Sequence, residues 1–167
     1  MSLYNPRASG LGNSAAYQVS GKPYLTGSIV EAEGSAAFAS RNEYKVEFPN
    51  VTKYVKVINN CTASELAVYF VPKATAPAAI NGIHYYVIPA AITSNNPTTG
   101  SFDAHIKCKE LYITAAPIGG LVSGPAAGGV NAGSFAVYAE LTHIPAEDMY
   151  ALTGSGISVS RYSDGQH

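Results

Sequence analysis

The chain has 167 residues, 13% of them charged, and its ten basic and eleven acidic side chains give a formal net charge of −1. That length suits one domain burying roughly 70% of the surface its unfolded form exposes, and argues against two. The balance leaves no basic excess for phosphates or an anionic membrane, whereas a surface poor in ions and rich in Tyr and small residues suits one that other protein covers.

Met1 to Arg7 has no continuous apolar stretch of the kind a secretory leader carries, and no window approaches the ~18 apolar residues of a membrane span, so synthesis in the cytosol is expected. Residues 1–40 scatter Gly10, Gly12, Gly21, Gly27 and Gly34 among Ser and Ala without a sustained apolar period. Yet Tyr4, Tyr17, Val19, Tyr24, Leu25, Ile29 and Val30 carry more apolar surface than a disordered linker normally does. We expect an extended N-terminal arm lying along its own domain or a neighbouring subunit, where strand addition satisfies its backbone; an ordinary N-terminal strand of the same sheet is the equal alternative.

A β-domain is expected over residues 41–155, with a tail over 156–167. Tyr44, Val46 and Phe48 alternate with Lys45 and Glu47, the period-two signature of a half-buried strand. Pro49-Asn50 interrupts the run and Tyr54 to Ile58 resumes it, which reads as a hairpin. After the polar turn Asn59 to Thr62, Leu66 to Val71 is apolar throughout, as in a central strand covered on both faces. Further strands are expected at Ile83–Ile88, ended by Pro89, then at Phe102–Ile106, Leu111–Thr114 and Phe135–Leu141. The strings Ala67-Val68-Tyr69 and Ala136-Val137-Tyr138 reflect either a weak internal duplication or the recurrence of common strand residues.

Pro117 to Gly133 holds six glycines, and its Ile118, Leu121, Val122 and Val130 favour packing against a partner over a free solvated tip. Pro145 to Leu152 reads as one or two helical turns, with Pro at the start, Glu147 and Asp148 near the positive end and Gly154 as the stop. A short strand is expected at Ile157–Val159. The fold class is therefore all-β: an antiparallel β-sandwich or jelly-roll-like domain with an extended arm and one short C-terminal helix.

Chemistry is harder to find. His84, His105, His143 and His167 lack metal-ligand spacing, although His84 and His105 could meet across two strands. Glu147 and Asp148 are adjacent and point to different sides, so they cannot share a proton as a catalytic dyad does. No GxSxG elbow occurs, and Gly10-Leu11-Gly12 and Gly154-Ser155-Gly156 read as turns rather than phosphate loops. Cys61 and Cys108 lack CxxC spacing and are expected as free thiols rather than a disulfide. Asn50-Val51-Thr52 and Asn60-Cys61-Thr62 match the glycosylation sequon but are read here as polar turns. No enzyme, cofactor or metal is expected, and an exposed Tyr85-Tyr86 pair leaves a carbohydrate-binding sandwich as one alternative.

Gly10 to Ser28 resembles the opening of small virion structural proteins of tailed bacteriophages, notably those of marine and cyanobacterial hosts. Ile144 to Gly156 is similar to their closing segment, with Val46-Glu47-Phe48-Pro49 and Lys107 to Ile113 fitting between. The resemblance implies a virion protein, synthesised in the host cytoplasm, that decorates or cements the capsid exterior; a tail, neck or fibre component is the alternative. The expected partners are the major capsid protein and copies of this chain, with a trimer favoured by closed symmetry and no nucleic acid or membrane. The residues expected to grip neighbours are Tyr17, Val19, Tyr24 and Leu25 of the arm and Ile118, Leu121, Val122 and Val130 of the long loop.

Overall fold

The computed structural model describes residues 22–33, 42–72, 85–91, 100–117 and 130–150. Within them lie strands β1 (Pro23–Val30), β2 (Tyr44–Glu47), β3 (Asn50–Asn59), β4 (Ser64–Tyr69), β5 (Tyr86–Ile88), β6 (Ser101–Ala104), β7 (Glu110–Pro117) and β8 (Gly133–Pro145), then a single 3₁₀ turn at Ala146–Asp148.

The strands make two four-stranded antiparallel sheets, ordered β1-β8-β3-β6 and β2-β7-β4-β5. Four ladders, β1 with β8, β2 with β7, β3 with β6 and β4 with β5, are those of one long folded-back hairpin. Two more, β3 with β8 and β4 with β7, roll that hairpin into a closed pair of layers. This is the jelly-roll order, in which successive strands alternate between sheets except at the β4–β5 pair, where the long hairpin folds back.

Alternation along each strand fills the space between the sheets. Val46, Val55, Val57, Leu66, Val68, Leu111, Ile113, Val137, Ala139 and Leu141 meet there in one buried cluster. The second sheet is covered on its outer side as well: Ala67, Tyr69, Tyr112 and Ala116 are buried, with Tyr85 packed against them. β4 is accordingly buried on both faces, as its apolar run implies. Rings close the two open sides of the sandwich, Tyr24 on Phe48 and Tyr44 on Phe135 at one, Tyr86 on Phe102 at the other, with centroids 5.1–5.6 Å apart.

Where β3 begins, register shifts at Asn50/Thr52 and Thr52/Tyr54 leave both Val51 and Thr52 buried, because a bulge breaks strict alternation. Val51 enters a small cluster with Ile144 and Met149. The Thr52 hydroxyl donates to the Ile106 carbonyl at 2.7 Å and accepts the Cys108 N–H at 3.0 Å, so this buried polar group is satisfied. Glycine is required at Gly133, where a Cβ would lie 2.5 Å from the Cys61 sulfur and 2.9 Å from its Cα.

Several expectations are corrected. Pro49-Asn50 is not a hairpin turn but a crossing between sheets: the Phe48 N–H still bonds to Lys109 at 2.9 Å, while Asn50 pairs with Pro145. A single residue separates the two ladders, and Pro49 has no N–H to leave unsatisfied. Within the stretch expected as an arm, Pro23–Val30 is an edge strand of the body itself, which is the equal alternative of an ordinary N-terminal strand. The expected helix at 145–152 is a three-residue 3₁₀ turn among the described residues, since Pro145 ends β8 and no side chain caps the turn. The expected strand at 157–159 lies outside the described residues.

Candidate interaction surface

The residues flanking β1 determine which backbone groups it leaves open. Leu141 N–H donates to the Lys22 carbonyl, and across β8 the Asn60 N–H donates to Ser134. In an antiparallel ladder, hydrogen-bonded pairs alternate with non-bonded ones, so Tyr24, Thr26, Ser28 and Val30 turn their backbone groups toward β8. Leu25, Gly27 and Ile29 turn theirs away from it, to a side on which no strand pairs among the described residues. The same residues alternate on the outer face of the sheet, where Leu25 is 77% and Ile29 71% exposed. Behind them on β8 and β3, Tyr138, Ala136 and Ile58 are half-buried.

The other three edges are guarded. β2 has four residues, including Lys45 and Glu47, with Lys45 ion-paired to Glu47 and Glu110. β6 also has four, and its Asp103 carboxylate is bound by Lys56 at 3.1 Å and by the Tyr54 hydroxyl at 2.6 Å. β5 is only three residues long. Short edges and charges deter pairing with another strand; β1 has eight residues and none is charged.

Of the residues expected to grip neighbours, Leu25 is on this surface. Tyr24 is turned inward, its ring edge-on to Phe48 at 5.4 Å and its hydroxyl donating to the Glu47 carbonyl at 3.2 Å. Val130 is a core residue, 3% exposed, with its backbone bonded in both directions to Glu33 at 2.8 and 3.0 Å. Tyr17, Val19, Ile118, Leu121 and Val122 lie outside the described residues. Ile29, which the sequence places among the apolar residues of the arm but not among those expected to grip neighbours, is exposed beside Leu25, and the sequence carries the signal: Leu25, Gly27 and Ile29 alternate with Tyr24, Thr26 and Ser28 in a run without charge.

Tyr54, Asp103, Cys61 and Cys108 are bound up in structural contacts. The Tyr54 hydroxyl bonded to Asp103 holds that carboxyl down to about 2, and the carboxylate pushes the Tyr54 hydroxyl up to about 12. Burial pushes the Cys108 thiol up to about 11 and raises Cys61, so both are weakly nucleophilic. His105 lies 5.1 Å from the Tyr54 ring, and His105 and His143 are exposed; His84 and His167 are outside the described residues. An open groove of about 360 Å³ beside the 3₁₀ turn is lined by Glu47, Phe48, Lys109, Glu110, Ala146 and Glu147. Its Lys109 ammonium is committed to the Met149 carbonyl at 2.9 Å. Among the described residues no three His, Cys, Asp or Glu side chains are grouped to hold a metal, and no helix is long and apolar enough to cross a membrane. Tyr85 and Tyr86 lie on opposite faces of the second sheet, so together they form no flat stacking platform.

No family model matches the chain, and no curated protein does. One solved structure, from work on Bacillus endospore appendages described as a novel family of disulfide-linked pili, is similar over 74% of this chain and 93% of its own. The identity is 14% and the TM-score 0.30, a likeness too low to carry an argument.

Proposed function

We propose that this chain is a non-enzymatic structural subunit of a tailed-phage particle, which decorates or cements the capsid exterior by contacting neighbouring subunits. Supporting the reading is the β1 edge, a long uncharged strand with Leu25 and Ile29 exposed and with outward N–H groups at Leu25, Gly27 and Ile29 that no strand pairs among the described residues, the Ile29 carbonyl accepting only the neighbouring Ser28 hydroxyl at 3.3 Å. Such an edge is a template for protein contact and is costly to leave in water. The resemblance of Gly10–Ser28 and Ile144–Gly156 to phage virion proteins supplies the particle. Multiplicity supplies the affinity, since a shell displaying many copies turns modest contacts into avid attachment through effective concentration. The partners are the major capsid protein and copies of this chain.

The test is a density map of the native particle together with binding of purified protein to empty shells. The expected results are density for this fold on the shell exterior and saturable shell binding. Density confined to the tail or neck assigns the chain to that assembly instead. A particle without the chain, or shells that do not retain it, overturns the proposal.

A further inference from the structure

We infer that the β1 edge pairs with β1 of a second copy, antiparallel about a two-fold axis at Gly27, joining the two four-stranded β1-β8-β3-β6 sheets into one. The inference rests on the edge alone and does not depend on which particle the chain belongs to.

Register decides the geometry. Only Leu25, Gly27 and Ile29 offer outward N–H groups, so the hydrogen-bonded pairs of a new ladder must fall on them. With Gly27 facing Gly27 of the partner subunit, Leu25 faces Ile29 of the partner subunit and the reverse. All three residues of each strand then both donate and accept. Sliding one strand by two residues sets Pro23, which has no N–H, against Ile29. Sliding it the other way brings in Glu31, whose N–H is already given to the Tyr44 hydroxyl at 3.1 Å. The Gly27-centred register is the one in which Leu25, Gly27 and Ile29 each both donate and accept.

Side chains and charge agree with that register. Leu25 and Ile29 meet as apolar cross-strand pairs on the outer face, which shields the two most exposed apolar side chains of β1. Gly27 brings no side chain to the axis. It is glycine for a reason inside the fold, because a Cβ there would lie 2.6 Å from the Phe135 carbonyl oxygen. A two-fold sets like residues near like, which penalises charged edges, and β1 has no charge. The nearest charges are Lys22 and Glu31, both exposed just beyond the strand ends. In this register Glu31 of the partner subunit stands opposite Pro23, and Lys22 falls on the other face of the sheet, so no like charges meet at either end. An edge strand that meets itself closes as a dimer, in place of the three-fold expected from the sequence.

The test compares the full chain with the double variant Leu25→Lys/Ile29→Lys by sedimentation equilibrium, using Val87→Lys on the β5 edge as a control for surface charge. The inference expects a dimeric wild type, an unchanged control and a double variant that stays folded by circular dichroism while associating about a hundredfold more weakly, because each Leu–Ile pair becomes a like-charge pair. Amide exchange of Leu25, Gly27 and Ile29 should slow with protein concentration. Mixed-label NMR should place the Leu25 amide against the Ile29 amide of a different molecule. A monomeric or trimeric wild type, a dimer that survives the double substitution, or intermolecular contacts from these amides to any segment other than β1 overturns it. Shell binding by a monomeric wild type would overturn the dimer and leave the proposed function standing. A dimer without shell binding would do the reverse.

Discussion

Asn59 offers a quantitative test of how the jelly roll is closed at the end where β3 hands over to β4. Its side chain is fully buried. Its amide nitrogen donates to the Ser64 carbonyl at 2.9 Å and the Pro89 carbonyl at 3.0 Å, with the Ile88 carbonyl at 3.3 Å, and its oxygen accepts the Cys61 N–H at 2.9 Å. One side chain thus ties the β3–β4 crossing to the end of β5, joining both sheets. Asn59→Ala strands the Ser64 carbonyl and the Cys61 N–H in the interior, while the Pro89 carbonyl, nearer the rim, can turn to water. At about 1–3 kcal/mol for each stranded group, and with a small cavity added, the cost comes to roughly 3–5 kcal/mol. That is a large share of the roughly 5–15 kcal/mol that holds a domain folded, and at about 2–4 °C per kcal/mol it lowers the melting temperature by roughly 6–20 °C. Asn59→Asp should cost more, since it turns a carboxylate oxygen toward carbonyls. The neighbouring Asn60 is exposed, and Asn60→Ala should stay within about 0.5 kcal/mol of wild type. Urea unfolding with a common slope measures all three. An Asn59→Ala variant within about 1 kcal/mol of wild type would refute the argument that these bonds close the fold.

Neither thiol should react with Ellman's reagent in the native state at pH 8, since both cysteines are buried with raised pKa values, and both should react once the chain is unfolded in urea; rapid labelling of the native protein would contradict their burial. Asp103→Asn should cost less than about 1 kcal/mol, because the carboxylate is substantially solvated. The Asp103 pKa is depressed in the fold, so its contribution is full above the ordinary carboxyl value of 3.8 and fades as pH falls through about 2. The gap between wild type and variant should therefore hold from neutral pH to about pH 4 and close below it, as followed by urea midpoints; a gap that widens in acid has the wrong sign. Gly133→Ala should destabilise by about 1–3 kcal/mol through overpacking. Adding Cys61→Ala should recover only part of this, since the Cys61 Cα still crowds the new methyl at 2.9 Å; full recovery in thermal melts would place the conflict at the sulfur alone.

The pattern of faces was legible in the chain. Val46, Val55, Val57, Leu111, Ile113 and Val137 enter the core because a strand alternates and water rejects their side chains, a fact local to each segment. The all-β sandwich follows from the number and spacing of such runs. Partner choice did not follow, because a period of two records which way a side chain points and not which ladder receives the backbone. Tyr44–Glu47 and Asn50–Asn59 look like a hairpin, yet each pairs with a strand more than 60 residues away. The contact residues divide along the same line. Leu25 and Val130 are alike in sequence, both apolar residues in glycine-rich stretches. Only the pairing of β1 with β8 exposes the first, and only the bridge to Glu33 buries the second. Asn59 and Asn60 are identical neighbours in a polar turn, and the roll places one among carbonyls and the other in water. Hydrophobicity along the sequence determined what each strand hides; only the long-range closure of the roll decided which edge was left unpaired by the described strands.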